Sequence, residues 1–406
     1  MTVTPHVLLS AYQCSPTGGS VSHIGWQWYK RLAQRVPVTL ITHIRNRDAL
    51  LKAGAPFADS EIVFIDTEWF ADPLYRLSLK LFPNTEYPVS LFSSADFYLY
   101  DGSAVKQLKK RQHAQWNIIH AVTPVSPQSV TRLHRLRYPL ILGPWNGGLK
   151  TPLAFPKVVL QDLNWLYPIR YLGRILDQLW HSSQHAQVIL TATQATYQSV
   201  PKRYRNRCRF MLENGVDLEL FTPTPWPTPP SKTQPLKLVF VGRLLAFKGV
   251  NMLLEAVSRY QGPIKLTIVG EGPLKARWQA LAVRLKIEQF IEWYGPTCAT
   301  KVAEQLAAAH VLCLPSVRES GGAILLEAMA CARPVIAVQY GGPAELIDEH
   351  IGYLIPPHGP AAVVDALVHC FYDLVEHSHQ WRQRGEAGRK RAERLYGWDN
   401  KINQAL

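Results

Sequence analysis

A glycine-rich turn between two apolar runs constrains the fold of this chain more than any other feature. The runs span residues 311–314 and 334–338, and between them Glu319 and Glu327 flank a Gly-Gly pair at the start of a helical pattern. The first amides of such a helix have no partner within it, and both these amides and the helix dipole favour an anion. The stretch therefore predicts a strand, a turn and a helix that binds a negatively charged group at its start.

The same pattern recurs through the C-terminal half. Apolar runs at 237–241 and 264–269 each lead through glycines into a helical pattern, and strands that alternate with helices predict a parallel, doubly wound α/β sheet. Arg243 and Lys248 follow the first of these strands, where open α/β sheets bind their ligands. Two cations at this edge suit a diphosphate, although either one alone would more often be a solvated loop residue.

A hydride-transfer enzyme is a weak interpretation of the same half. The turn after the second strand contains Gly270 and Gly272 but lacks the third glycine of a dinucleotide-binding fingerprint. An acidic partner for a ribose is also missing at the expected distance of about 20 residues.

The N-terminal half repeats the pattern with weaker signals. A strand at 6–11 leads through Gly18 and Gly19 into a helix predicted over 24–35. Glycines let the backbone approach a ligand closely, and a flexible surface loop is the alternative interpretation. A further strand, 117–122, carries His120. A lone histidine on an apolar strand is more often a core residue than a functional one.

Four segments together resemble the retaining glycosyltransferases of family 4, which have the GT-B fold. They are G-R-x-x-x-x-K-G at 242–249, V-G-E-G-P at 269–273, the two glutamates of E-x7-E, and G-G-P-A-E-L-I at 341–347. The resemblance implies an α/β protein of the GT-B fold. Such a protein has two Rossmann-like, doubly wound domains facing a cleft, and its C-terminal helix crosses back to the first domain.

The resemblance also implies roles for individual residues. Arg243 and Lys248 hold the donor diphosphate, and His120 lies near the reacting centre. Glu319 faces the donor sugar, and Glu327 binds the ribose hydroxyls. The implied catalytic residues are Glu319, His120, Arg243 and Lys248. The implied donor-binding residues are Gly18, Gly19, Arg243, Lys248, Glu271, Gly321, Gly322, Ala323 and Glu327.

Two positions depart from the pattern of the family. Val21 stands where many relatives have a glutamate, so a carboxylate that could contact the acceptor is missing. Ala332 stands where the family usually has a glycine that closes the helix. If this position needs a positive φ, alanine costs on the order of 1 kcal/mol there.

The implied activity is a retaining transfer of a sugar from a nucleotide diphosphate sugar to an acceptor hydroxyl, in glycolipid or cell-surface polysaccharide synthesis. Cations and helix amides stabilise the departing diphosphate, so we expect neither a metal nor another cofactor. Two alternatives stay open: a GT-B-fold sugar-nucleotide epimerase or hydrolase, and a non-catalytic membrane-associated scaffold. The sequence identifies neither the donor nucleotide and sugar nor the acceptor, a glycan or a lipid-linked molecule.

A proline-rich stretch marks the domain boundary. Residues 222–235 contain six prolines, which predicts an extended linker. We therefore expect an acceptor-binding domain at 1–220, a linker at 221–235, a donor-binding domain at 236–385 and a crossover helix at 386–406.

The net charge of +14 is concentrated in the first half. Residues 1–220 hold 24 Lys and Arg against 14 Asp and Glu, and clusters lie at 106–111, 132–137 and 202–209. Two segments, 69–87 and 158–180, mix apolar and aromatic residues with cations. They either contact an anionic membrane surface or form ordinary packing helices. A nucleic-acid partner is not expected, because no binding motif for it is evident.

The sequence also indicates a compartment. It shows neither a secretory signal nor a run of about 18 apolar residues. The six cysteines are scattered, which fits reduced thiols better than disulfides or a zinc site. We expect a cytoplasmic enzyme that can attach to the inner face of the membrane.

Overall fold

Two parallel sheets organise the chain, and each belongs to a separate compact unit. The computed structural model describes residues 4–81, 86–111, 115–161 and 172–405. The first unit contains the described residues up to 148 and those from 172 to 213. The second contains residues 149–161 and 214–405.

The strands alternate with helices along the chain, as the sequence predicts. The first sheet contains β1 (Val7–Ala11), β2 (Val38–His43), β3 (Ser60–Ile65), β4 (Ile118–Thr123), β5 (Leu140–Trp145), β6 (Val188–Thr191) and β7 (Cys208–Phe210). The second contains β8 (Leu236–Val241), β9 (Ile264–Val269), β10 (Ile291–Gly295), β11 (Val311–Leu314), β12 (Val335–Val338) and β13 (Gly352–Ile355).

The helices of the described residues are α1 (Ser20–Leu32), α2 (Arg47–Lys52), α3 (Glu68–Leu81), α4 (Glu86–Lys109), α5 (Pro156–Gln161), α6 (Leu172–Trp180), α7 (Ser182–His185), α8 (Gln194–Ser199), α9 (Val250–Arg259), α10 (Lys275–Arg284), α11 (Ala299–Ala308), α12 (Ala323–Ala330), α13 (Gly342–Leu346), α14 (Pro360–Glu376), α15 (Ser378–Arg391) and α16 (Trp398–Ala405). None of them is long and apolar enough to cross a membrane.

The strand order gives both sheets the same switch point. The first sheet runs β3-β2-β1-β4-β5-β6-β7, and the second runs β10-β9-β8-β11-β12-β13. In each, the chain moves outward from its first strand and then returns to the other side of that strand. Ligands of open α/β sheets bind at the carboxyl edge of such a point, which lies between β1 and β4 and between β8 and β11.

The central strands of both sheets are buried. All residues of β1, β2, β11 and β12 are buried, as expected for parallel strands covered by helices on both faces. Strands β2, β3 and β13 were not predicted, whereas apolar runs of the sequence at 140–148, 188–193, 209–212 and 291–295 predict β5, β6, β7 and β10. Helix α1 begins at Ser20 rather than residue 24, because the chain already turns at Gly19, whose carbonyl accepts from His23 N at 3.0 Å.

The proline-rich segment lies along the second unit. The guanidinium of Arg333, a residue only 1% exposed, donates to Thr224 Oγ1 at 2.7 Å and to Pro225 O at 3.1 Å. Trp226 Nε1 donates to His310 O at 3.2 Å. The boundary between the units falls at 213/214, earlier than the predicted boundary at 220.

The C-terminal residues belong to the second unit. There Lys401 Nζ donates to Asn214 O at 3.0 Å, and Trp398 N donates to Val216 O at 3.2 Å. The crossing of this helix to the first domain stays a prediction. Of the two segments interpreted as membrane-facing, residues 82–85 and 162–171 lie outside the described part of the chain.

Candidate functional site

The loops that follow β8, β9 and β11 meet at the carboxyl edge of the second sheet. Leu244 N donates to Glu271 O at 2.8 Å, and Leu274 N donates to Leu244 O at 3.2 Å, so the first two loops are joined. Val317 N donates to Phe247 O at 2.8 Å, which ties the loop after β11 to the loop after β8. Backbone hydrogen bonds therefore position the side chains that the sequence singled out.

Two glycines make this close approach possible. A Cβ added to Gly270 would lie 2.0 Å from Gly242 O, and one added to Gly249 would lie 2.3 Å from Pro315 O. Gly249 also has a φ of +68° where it begins α9. A residue with a side chain would push the loops apart or strain the backbone.

Lys248 and Glu319 form an ion pair at the switch point of the second sheet. Lys248 Nζ lies 2.5 Å from Glu319 Oε2, and the two side chains are 15% and 13% exposed. The main chain of Glu319 is held in place because its carbonyl accepts from Gly342 N at 2.8 Å. The structure thus joins the residue predicted to bind the diphosphate and the residue predicted to bind the sugar in a charge-assisted hydrogen bond.

The start of α12 lies directly after this pair. Gly321 and Gly322 are buried, and Gly322 has a φ of +59° where it begins the helix. Among the described residues no side chain caps this helix, and its first turn contains no acidic residue. The amides of Ala323 and Ile324 therefore point out of the helix start without an intrahelical partner, as an anion-binding site requires.

Glu327 lies one turn into the same helix. Its neighbours Leu326 and Ala328 are buried, and burial raises the pKa of the Glu327 carboxyl to about 7. Within the described part of the chain no group donates a hydrogen bond to this carboxylate. A ligand hydroxyl would stabilise its charged form, because hydrogen bonding to the charged form of an acid opposes the effect of burial.

Arg243 and Glu271 belong to the same loops but have different surroundings. Arg243 is exposed overall, and partial desolvation lowers the pKa of its guanidinium while leaving it a cation. The exposed Glu271 carboxylate accepts from Lys275 Nζ at 2.8 Å, and this bond lowers its pKa. The backbone of Glu271 is part of the site, whereas its side chain is bonded to a neighbouring helix residue.

The sequence interpretation missed a third cation at this edge. The guanidinium carbon of Arg318 lies 4.5 Å from the centre of the Phe247 ring. Its Nη1 donates to Thr151 Oγ1 at 3.4 Å, so residues 149–161 border the site within the second unit. The sequence places Arg318 directly before Glu319, which could have marked it as a site residue. Its position at the site becomes evident only in the structure, where its guanidinium group lies over the ring of Phe247, the neighbour of Lys248.

The carboxyl edge of the first sheet holds the remaining predicted site residues, Gly18, Gly19 and His120. Gln13 N donates to Thr123 Oγ1 at 3.0 Å, and this hydroxyl donates to Gln13 O at 2.9 Å, so the loops after β1 and β4 are joined. A Cβ added to Gly19 would meet nothing within 4 Å, whereas one on Gly18 would lie 2.6 Å from Ser22 Cβ. Gly18 is therefore required for packing, and Gly19 leaves open space in front of α1.

His120 is a packed residue of β4. It is 4% exposed, its Nε2 donates to Gly143 O at 2.8 Å, and the Trp28 ring lies edge-on at 4.6 Å. The bond to a carbonyl requires the proton on Nε2. These contacts are those of a core histidine, and its catalytic role stays a prediction.

A buried polar network at this edge was not predicted. The Asp96 carboxylate accepts from Tyr12 Oη, from Thr67 Oγ1 at 2.6 Å and from Arg45 Nη2 at 3.1 Å. His43 Nε2 bonds Thr67 Oγ1 at 2.8 Å, and burial lowers the pKa of His43 to about 4. The network escaped prediction because β2 and β3, which precede Arg45 and Thr67, were not identified.

A cavity of about 200 Å³ adjoins the network, lined by Arg45, Glu68, Ala71, Asp72, Leu74, Tyr75 and Asp96. Its carboxylates can accept hydrogen bonds from a hydroxyl-rich ligand.

The second unit matches a family of known proteins. Residues 227–388 match the family described as glycosyl transferases group 1. A D-inositol 3-phosphate glycosyltransferase of Streptomyces bingchenggensis is 33% identical over 207 residues, which cover 46% of this chain and 44% of that protein. The putative colanic acid biosynthesis glycosyltransferase WcaL of Escherichia coli is 31% identical over 163 residues, 38% of this chain and 39% of that protein. The chain thus spans less than half the length of these curated relatives.

The whole chain is similar in fold to a solved structure. Anabaena Alr3699/HepE, in complex with UDP and glucose, aligns with 99% of this chain and 98% of its own, at a TM-score of 0.64 and 15% identity. At this identity the likeness shows the fold alone. It confirms the predicted GT-B class, with two Rossmann-like parallel sheets.

Proposed function

We propose that this chain is a member of the glycosyl transferases group 1 family, which its residues 227–388 match. It transfers a sugar from a nucleotide diphosphate sugar to an acceptor hydroxyl, with retention of configuration. The observation that carries the proposal is the ion pair of Lys248 with Glu319 beside the uncapped start of α12. A cation, a carboxylate and unpaired amides at one switch point suit a diphosphate linked to a hydroxyl-rich group.

The cations act on the leaving group. Lys248, Arg243 and the first amides of α12 neutralise the negative charge that develops on the departing diphosphate. The ion pair with Glu319 holds the Lys248 ammonium at this position before the donor binds. Because fixed positive groups surround the diphosphate, we propose that the reaction needs no divalent metal.

The two glutamates orient the rest of the donor. Glu319 accepts hydrogen bonds from hydroxyls of the transferred sugar, and Glu327 accepts them from the ribose. The second role is supported by the desolvated carboxylate of Glu327, whose pKa of about 7 reflects burial without a hydrogen-bond donor. Hydroxyls of a bound ribose would supply these donors.

The bond changes take place on one face of the sugar. The bond from the anomeric carbon to the diphosphate oxygen breaks, and the acceptor oxygen forms the new bond from the same side. The acceptor proton moves to the leaving phosphate oxygen, so no strong base is required from the protein.

The acceptor is proposed to be a glycan or a lipid-linked molecule, in glycolipid or cell-surface polysaccharide synthesis at the cytoplasmic face of a membrane. WcaL is named for colanic acid biosynthesis, which supports this class. The cavity beside Arg45 and Asp96 in the first unit offers carboxylates to acceptor hydroxyls. The complex of HepE with UDP and glucose makes UDP-sugars the first donors to test.

A donor screen followed by product analysis tests the proposal. UDP-, GDP- and ADP-sugars are first compared by thermal shift, since a bound donor raises the melting temperature by mass action. The stabilising donor is then incubated with and without a hydroxyl acceptor, and products are separated by mass. We expect a glycoside only with acceptor. Product from the donor alone would indicate an epimerase or hydrolase, and binding without any product would indicate a scaffold.

A further inference from the structure

A cationic pocket opens at the amino edge of the first sheet. It has a volume of about 570 Å³ and is lined on one side by His134, Arg135 and Arg137 and on the other by His185 and Gln187. Pro139 and Gln187 directly precede β5 and β6, so the pocket lies at the amino ends of these strands. Residues at the carboxyl edge, which carry the proposed chemistry, are on the opposite side of the same sheet.

The fold places one basic cluster of the sequence in the lining of this pocket and a second cluster beside it. The first, 132–137, includes a short turn, Leu133–Leu136, that contacts α7. The second, 202–209, is held against the end of α7 because Arg207 Nη1 donates to Gln184 O at 2.6 Å and to Ala186 O at 2.9 Å. Arg207 therefore lies next to the lining residues His185 and Gln187, whereas Arg135 and Arg137 belong to the lining itself.

Two histidines of the lining pack against each other. The rings of His134 and His185 are stacked, with centres 4.8 Å apart and planes 5° from parallel. The described lining contains no acidic residue, so Arg135 and Arg137 face a pocket in which no carboxylate of the lining competes for them.

We infer that this pocket binds the phosphate of an anionic membrane lipid. Arginine guanidinium groups bind phosphate oxygens in a fork, and both Arg135 and Arg137 are exposed. Gln187 adds a polar side chain beside the headgroup. The inference rests on the membrane-contact part of the proposed function and assigns that contact to a defined surface.

An apolar helix beside the pocket favours a lipid over a phosphate free in solution. Helix α6 ends two residues before α7. Its side chains Ile175 and Leu179 are 52% and 66% exposed. Its last residue, Trp180, is anchored by Arg132 at 4.4 Å and by the Tyr98 ring at 5.3 Å. Exposed aliphatic side chains next to basic ones are typical of a surface that lies in the headgroup region of a bilayer.

Co-sedimentation with lipid vesicles tests the inference. Vesicles of phosphatidylcholine alone are compared with vesicles that also contain phosphatidylglycerol. We expect the wild-type protein to bind the anionic vesicles far more tightly. The double variant Arg135→Glu/Arg137→Glu should lower that affinity by at least about thirtyfold, since each basic residue near an anionic surface contributes roughly a factor of five.

A second double variant with the same change in net charge distinguishes binding by the pocket from general electrostatic attraction. Lys232→Glu/Lys265→Glu changes the same number of charges at exposed positions of the second unit, and we expect it to retain most of the binding. Equal loss in both double variants, or equal binding of wild type to both kinds of vesicle, would overturn the inference. Circular dichroism melting confirms that each variant is folded.

The aliphatic side chains distinguish the two sources of phosphate. Ile175→Ser/Leu179→Ser should weaken vesicle binding by about tenfold and leave the binding of soluble sn-glycerol 3-phosphate unchanged. If vesicle binding also stays unchanged, the site recognises soluble phosphates and the lipid assignment is wrong. All variants should keep the thermal shift caused by the donor, so failure of this inference leaves the proposed transferase activity standing.

Discussion

The carboxyl edges of the two sheets share a topology but differ in how their buried charges are satisfied. At the first edge, the Asp96 carboxylate accepts from Tyr12, Thr67 and Arg45. At the second edge, the Glu327 carboxylate is desolvated and accepts from no described side chain, so its pKa is raised to about 7.

This difference separates a structural charge from one held ready for a ligand. A buried carboxylate with several donors holds loops together, because each donor would otherwise be unpaired. A buried carboxylate without donors costs folding free energy, and a ligand that supplies hydroxyl donors recovers part of it. The second edge is therefore the stronger candidate for donor binding, and five experiments can break or sharpen the comparison.

The largest effect is expected at Lys248. Lys248→Ala removes a fixed positive charge from the diphosphate and leaves Glu319 without its partner. We expect kcat to fall by about a hundredfold, and Arg243→Ala to reduce it by at least about tenfold. Steady-state kinetics with the donor found by thermal shift measures both.

A matched control uses another paired lysine of the second unit. Lys301 Nζ bonds Glu304 at 2.7 Å at an exposed position, and Lys301→Ala should leave kcat within about twofold because exposed ion pairs contribute little. Near-native turnover in both Lys248→Ala and Arg243→Ala would remove the diphosphate assignment.

The next effect concerns stability of the first unit. Asp96→Ala leaves the buried hydroxyls of Tyr12 and Thr67 without an acceptor, and we expect a loss of about 2 kcal/mol in the free energy of unfolding. Urea unfolding measures it. Asp72→Ala, which removes an exposed carboxylate paired with Arg76, should cost less than about 0.5 kcal/mol. A lower donor affinity in Asp96→Ala would contradict the structural role.

The pH dependence of donor binding tests Glu327. Its pKa of about 7 lies above the ordinary 4.5, so the carboxyl is mainly protonated in the donor-free protein at acidic pH. If ribose hydroxyls bind the charged form, the donor KM should fall about tenfold between pH 6 and pH 8. Glu327→Gln should abolish this dependence and keep a high KM. A parallel pH profile in wild type and variant would contradict the ribose role.

The raised pKa of Glu327 also predicts that its charged form, which favours donor binding, destabilises the fold. Because the unfolded chain releases this proton more readily than the folded one, Glu327 destabilises the fold increasingly as pH rises from 4.5 to about 7. Glu327→Gln should therefore be more stable than wild type above that range, as measured by urea unfolding.

The smallest effect is expected at Ala332, outside the site. This alanine has a φ of +56°. Its amide and that of Arg333 donate to Met329 O at 3.0 Å and Ala328 O at 2.8 Å, which is the Schellman pattern that closes α12. Ala332→Gly should stabilise the protein by about 0.5–1 kcal/mol and leave kcat unchanged. Ala280→Gly, within α10, should instead destabilise it by about 1 kcal/mol. If Ala332→Gly does not stabilise the protein, the positive φ of Ala332 does not strain the backbone.

The second unit was predicted in more detail than the first for a local reason. Each of its site loops is a short sequence motif attached to a strand, so position along the chain indicates position at the sheet edge. The first unit relies on contacts between distant segments, such as Tyr12 with Asp96 across 84 residues. For the same reason Arg318 was missed, since its role depends on Phe247 lying under its guanidinium group.

The sequence by itself determined the α/β class, most of the strands, the family resemblance and the residues around the Gly-Gly turn. These features depend on local periodicity and on residue types at short spacing. The tertiary structure alone decided that Lys248 meets Glu319 across 71 residues. It also decided that the Asp96 carboxylate has hydrogen-bond donors while that of Glu327 has none among the described residues, and that Arg207 lies beside the pocket lined by Arg135 and Arg137. Strand order and burial set these relations, and neither is encoded in any single segment of the chain.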